Sequence, residues 1–135
     1  MGSSKRTVQP PGWAKPRGYS NGIVAEGGRT LFVGGQIGWD PTSETPRFPA
    51  TFAEQFDAAL ANVLAVVKEA GGTPQDLVRC TVYVINKDAY RSATRQIGES
   101  WKRQVGKHYP AMALVVVSAL LEDDAQVEIE ATAVI

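Results

Sequence analysis

Cysteine and histidine are nearly missing from this chain: Cys80 and His108 are the only ones in 135 residues. A lone cysteine closes no intrachain disulfide, and with one histidine it falls short of the four ligands of a structural zinc site, so no metal centre is expected. Charge of one sign is lacking too. Fourteen Lys and Arg offset fourteen Asp and Glu, and the pI is near 6.6. Such a chain has no field to hold a polyanion, and neither a specific nucleic acid nor a membrane surface is expected as partner. No hydrophobic run approaches the roughly 20 residues that span a bilayer, and the N-terminus has no apolar signal stretch, so the expected compartment is cytoplasmic. The chain also lacks a Gly-x-Ser-x-Gly elbow, a His-Glu-x-x-His pair and a Gly-x-Gly-x-x-Gly cradle. Those absences turn the reading away from covalent hydrolases, zinc proteases and that mode of nucleotide binding.

What is present has the balance of an ordinary globule, 44% hydrophobic and 21% charged. Residues 1–135 read as a single domain in which 1–18 form a loop-rich N-terminal segment, and Met1 to Ser4 carry no structural weight. From Gln9 to Asn21, three prolines and two glycines forbid a helix interior. Ile23–Glu26 and Thr30–Gln36 read as strands of a hairpin turned by Gly27-Gly28. Trp39 to Ala50, with Pro41, Pro46 and Pro49, reads as a surface loop.

Thr51 and Glu54 form a capping-box pattern that should open a helix. Phe52, Phe56, Leu60, Val63 and Val67 lay an apolar stripe along it, and Gly71-Gly72 ends it. Asp76 to Ile85 reads as a strand, with Val78, Cys80, Val82 and Val84 on one face and Arg79, Thr81 and Tyr83 on the other. A second helix, capped by Asp88, carries Tyr90, Thr94, Ile97, Trp101 and Val105 and stops at Gly106. Ala111 to Val117 is apolar at every position, the pattern of a strand covered on both faces. Gln126 to Ile135 alternates, with Val127, Ile129, Ala131 and Ala133 opposite Glu128, Glu130 and Thr132.

Two amphipathic helices and five or six strands make an α+β sandwich, one mixed sheet with both helices on one face. The sheet's other face then needs cover, most economically from a second copy of the chain. Cys80, flanked by Val78 and Val82, reads as core packing rather than a nucleophile, and His108 as a helix-end or loop contact rather than a general base. Gly34-Gly35-Gln36, at a strand end, suits either a ligand's close approach to backbone or a bulge. Glu128, a carboxylate inside a half-buried strand, must be solvated, paired or functional.

Gly-Tyr-Ser-Asn-Gly, then Leu-Phe-Val-Gly-Gly-Gln-Ile, Val-Tyr-Val-Ile-Asn-Lys-Asp-Ala-Tyr, and Tyr-Pro-Ala-Met-Ala-Leu followed by Val-Glu-Ile-Glu-Ala-Thr-Ala-Val, together resemble the RidA/YjgF (endoribonuclease L-PSP-like) family from Tyr19 to the C-terminus. The resemblance implies a chorismate-mutase-like fold assembled as a homotrimeric barrel, helices outside, with three clefts between subunits. It implies hydrolysis of reactive enamines and imines to keto acids and ammonia, with no metal or organic cofactor. By the same resemblance Glu128 would position or activate water, Tyr19 would stand at the cleft mouth, Gly35 and Gln36 would form its backbone wall, and Asp88 would fall where deaminases carry a polar residue.

Met112 departs from the pattern. The family's deaminases have arginine there to grip the substrate carboxylate with a bidentate fork, and methionine has neither donor nor charge. With Leu114 and Val116 on the same strand face, Met112 implies an apolar floor and a small-molecule substrate other than a simple 2-imino acid. A non-catalytic ligand-binding trimer is the alternative, and a ribonuclease or translation inhibitor a third.

Overall fold

The computed structural model describes residues 2–135; Met1 lies outside them. Helix α1 (Phe52–Glu69) opens on the expected capping box. Thr51 Oγ1 accepts from the Glu54 amide at 3.2 Å while the Thr51 amide donates to Glu54 Oε1 at 3.3 Å. It closes on Gly71, whose φ of 91° lets the Gly71 and Gly72 amides turn back onto the carbonyls of Lys68 and Val67. The stripe from Phe52 to Val67 is buried, together with Ala59 and Gln55. Gln55 is a polar core residue that periodicity does not reveal. Its amide nitrogen donates to the carbonyls of Pro49 and Asp124, and its oxygen accepts from the Gln126 amide, so every polar atom is partnered.

Six strands follow the chain: β1 (Ser3–Val8), β2 (Gly22–Gly27), β3 (Thr30–Ile37), β4 (Leu77–Val84), β5 (Ala111–Val116) and β6 (Val127–Val134). The last four form a mixed sheet in the order β3-β6-β4-β5. β5 runs parallel to β4, and the other pairs are antiparallel. The parallel step is made by a crossover through α2 (Lys87–Ser92) and α3 (Thr94–Gln104). α1 packs on β3 and β6 and against α3, so the helices cover one face of the sheet. The core there holds Val33, Leu60, Leu77, Val82, Trp101 and Ile129 among others. The fold is α+β with one main mixed sheet, as the sequence implies.

The structure departs from the sequence reading at several places. β2 and β3 are not a hairpin: β2 pairs along its length with β1, from Ser3 opposite Gly27 to Val8 opposite Gly22, and β3 pairs with β6. Gly27 and Gly28 do take positive φ, 73° and 69°, but they link the β1-β2 ribbon to the sheet. A Cβ on Gly28 would lie 2.1 Å from the Ile135 carbonyl oxygen, where Arg29 and Ile135 exchange backbone hydrogen bonds. The loop-rich N-terminal segment thus begins with a strand whose polar sequence carries no apolar alternation.

The second helix is two. Ala93, at φ −104° and ψ 6°, separates α2 from α3, and the cap of α2 is Asn86 rather than Asp88. Asn86 Oδ1 accepts from the Ala89 amide at 3.0 Å, three residues on, while Asp88 falls in the first turn. In β4, a register shift between Leu77 and Arg79 gives the buried position to Leu77 and leaves Val78 half-buried. The apolar segment expected to be covered on both faces is β5, at the sheet's edge. In a single chain Leu114, Val115 and Val116 remain 37%, 42% and 51% exposed.

Candidate functional site

Strand register divides the sequence-predicted residues into two groups on opposite faces. In β6, Glu128 pairs with Ile37 of β3 and Tyr83 of β4, and its side chain lies on the face the helices leave open. Beside it, a register shift between Val33 and Gln36 kinks β3 and brings Gly35 against the carboxylate. A Cβ on Gly35 would stand 2.3 Å from Glu128 Oε2, so only glycine lets this backbone and this carboxylate approach so closely. Gln36 donates from Nε2 to the Gly34 carbonyl at 3.3 Å, holding the kink.

The same face carries two groups that the sequence reading left without a role, Tyr83 and Glu130. The Tyr83 hydroxyl donates to Glu130 Oε1 at 2.5 Å, and this bond, with the carboxylates of Glu130 and Glu128 nearby, pushes the phenol's pKa up. Their one sequence signal was alternation, which placed both opposite the core.

The second group faces the helices. Met112 pairs with Cys80 and Leu114 with Val82, both core-facing residues of β4. Since side chains alternate along a strand, the register that sends Glu128 outward with Tyr83 sends Met112 and Leu114 to the opposite face. They line a cleft of about 430 Å³ between β5, α2 and α3, together with Tyr19 and Arg17. Tyr19 reaches it from the 9–21 loop, which is tied to β5. The Ser20 amide donates to the Pro110 carbonyl at 3.0 Å, the Ser20 hydroxyl to the Tyr109 carbonyl at 2.5 Å, and Ser20 bridges Ala111.

Asp88 stands exposed on the first turn of α2 and is not among the residues lining that cleft. His108 joins the end of α3 to the start of β4: its Nε2 lies 2.6 Å from the Leu77 carbonyl, while its own carbonyl accepts from Trp101 Nε1 at 2.9 Å. Cys80 is fully buried, and burial pushes its thiol pKa up to about 12, which leaves it protonated and unreactive at neutral pH. Both readings made from the sequence for these two residues agree with this placement. Among the described residues, no three His, Cys, Asp or Glu side chains gather as a metal-ligand cluster, and no helix is long and apolar enough to cross a membrane.

A sheet with a carboxylate and glycine wall on its open face, and an apolar cleft between its edge strand and helices, defines the class. Residues 13–135 match the family model described as endoribonuclease L-PSP, and the chain belongs to that family, the RidA/YjgF proteins. It is 30% identical over 128 residues to the human 2-iminobutanoate/2-iminopropanoate deaminase, covering 95% of this chain and 86% of that protein. It is 33% identical to the putative reactive intermediate deaminase TdcF of Escherichia coli, covering 95% and 93%. Among solved structures, the Rid-family protein YyfB of Yersinia pestis superposes with a TM-score of 0.84 at 30% identity, covering 97% of this chain and 98% of that one.

Proposed function

We propose that this protein is a cofactor-independent hydrolase of the RidA type, deaminating an imine or enamine other than a simple 2-imino acid. Its site would be built in a homotrimer, where the Glu128 face of one copy meets the Met112 cleft of another. Within one chain the two groups lie on opposite faces of a sheet and cannot close on one molecule. The observation that carries the reading is the approach of Gly35 to Glu128, which sets a carboxylate beside open backbone. There Glu128 would take a proton from water as its oxygen adds to the imine carbon. Collapse of the adduct would then form the carbonyl, break the C–N bond and release ammonia once the nitrogen is protonated. Tyr19 would close the cleft, and Met112 would contact an apolar part of the substrate.

The experiment is subunit mixing. Glu128→Gln and Leu114→Gln chains, each inactive alone, regain part of wild-type turnover when unfolded, mixed and refolded together, because mixed trimers contain intact clefts. Failure of the mixture, with both variants trimeric, would overturn the shared site. In parallel, Met112→Arg should raise kcat/KM on the imino acid made enzymatically from alanine by about 10- to 100-fold in semicarbazide competition, the worth of a charge-assisted bidentate contact. No turnover on any imine, with a ligand that raises the melting temperature, would favour the binding-trimer reading, for which the missing donor at Met112 argues. A ribonuclease is disfavoured because net charge is zero and the open face carries Glu128 and Glu130, which repel phosphate.

A further inference from the structure

The cleft that Met112 leaves without a cation has another one at its rim. Among the described residues lining it, Arg17 is the only charged side chain, and no carboxylate is present to neutralise it. Arg17 is exposed and takes part in none of the three salt bridges among the described residues. Its loop is anchored close by: Ser20, three residues on, is hydrogen-bonded to the chain at Tyr109 and Pro110, immediately before β5 and Met112. The loop behind it is held by Gln9, whose amide nitrogen donates to the Ala14 carbonyl at 3.0 Å and whose oxygen accepts from Asn21 at 2.6 Å.

Apart from Thr94 and two glycines, the rest of the wall is aromatic and apolar. Trp101 and Tyr109 stack with centroids 6.2 Å apart at 11°, and the Trp101 ring N–H is already occupied by the His108 carbonyl, so the small part of this buried indole that reaches the cleft is apolar. Met112 adds a polarizable thioether of the kind that packs against rings. In the single chain the cleft holds about 430 Å³, within the range of small-molecule pockets.

We propose that Arg17 has taken over the grip on the substrate carboxylate and that the cleft takes 2-imino acids with a large aromatic side chain. The carboxylate would lie at the rim against the guanidinium, and the ring on Trp101, Tyr109 and Met112. The reaction is the one given above: water adds to the imine carbon, the C–N bond breaks, and an aryl keto acid and ammonia leave. This inference rests on the deaminase reading and narrows its exclusion to 2-imino acids with small side chains, and the experiment separates the two.

Imino acids generated by an amino-acid oxidase from phenylalanine and from alanine are offered to wild type and Arg17→Ala under semicarbazide competition. Binding of phenylpyruvate and of its neutral analogue phenylacetone is measured by calorimetry on the Glu128→Gln protein with and without Arg17→Ala. Wild type should prefer the phenylalanine product by at least about tenfold in kcat/KM. Arg17→Ala should raise KM about 10- to 100-fold with kcat little changed, weaken phenylpyruvate to match, and leave phenylacetone unaffected. Arg17→Lys should restore part of the loss, since it keeps the charge but not the fork. Turnover indifferent to Arg17→Ala, or equal use of the two imines, would overturn the inference and leave the deaminase reading standing. Arg17-dependent phenylpyruvate binding without turnover of any imine would support the cleft assignment and overturn the chemistry.

Discussion

At Gly35 the side chain that is absent carries the argument. A methyl group there would lie 2.3 Å from Glu128 Oε2 and 2.8 Å from the carboxyl carbon, atoms at the free end of a flexible side chain. The fold can yield by swinging the carboxylate aside, but the site cannot. Gly35→Ala should therefore melt within a few degrees of wild type and lose turnover as completely as Glu128→Gln, which parallel melting and imine assays would read. Cys80 lies at the other extreme, a residue whose chemistry the fold suppresses. Burial raises its thiol pKa from the ordinary 9.0 to about 12, so over that interval the native state keeps a proton that the unfolded chain releases. For a thiol raised in this way the neutral form is the favoured one, so stability falls as pH rises from 9.0 toward 12 and is unaffected by this group below 9.0. The melting temperature of wild type should fall more steeply across that window than that of Cys80→Ala.

Among elements, the junction of α1 with α3 is held by one carboxylate. Asp57 Oδ1 accepts from the Ser100 hydroxyl at 2.5 Å and from Gln104 Nε2 at 2.9 Å, and forms a salt bridge with Arg103. α3 and the crossover it belongs to form the helical wall of the cleft, so this clamp also holds the cleft's shape. Asp57→Ala leaves the buried Ser100 hydroxyl without its acceptor and should cost about 1–3 kcal/mol in urea unfolding. The β1-β2 ribbon is pinned in another way. Lys5 Nζ lies 2.5 Å from Asp76 Oδ1, with both side chains more than four-fifths buried. The Asp76 carboxyl is held below its ordinary range: burial opposes this, but the bonds from Lys5 and the Thr73 amide outweigh it.

For the whole molecule, the question is what covers the open face of the sheet. Phe32 is 78% exposed there in the single chain, and β5 presents Val115 at the edge. Such a surface is a cost for a monomer and a contact for an assembly. In the trimer proposed above, light scattering should give three times the 14.5 kDa chain mass. Phe32→Asp should give a folded chain of monomer mass, because that side chain contributes nothing to the monomer's own core. A wild-type mass of 14.5 kDa would remove the assembly, and with it the shared cleft.

Local rules determined much of this protein. The capping box and glycine stop of α1, the alternation that turns Glu128 outward and the family pattern from Tyr19 onward all depend on neighbours within a few residues, which the chain displays directly. Partner choice between distant segments was decided only by the tertiary structure. β2 pairs with β1 and β3 with β6, a choice between distant segments that no local pattern displays, and β1 shows no apolar alternation since it packs as a two-stranded ribbon outside the main sheet. Asn86 displaces Asp88 as cap because its side chain meets the amide that the chain's path presents. Arg17 enters the cleft for the same kind of reason. Nothing in its sequence neighbourhood marks it, and the bonds of Ser20 to Tyr109 and Pro110 hold its loop against the chain just before β5, where Arg17 and Met112 line one cleft.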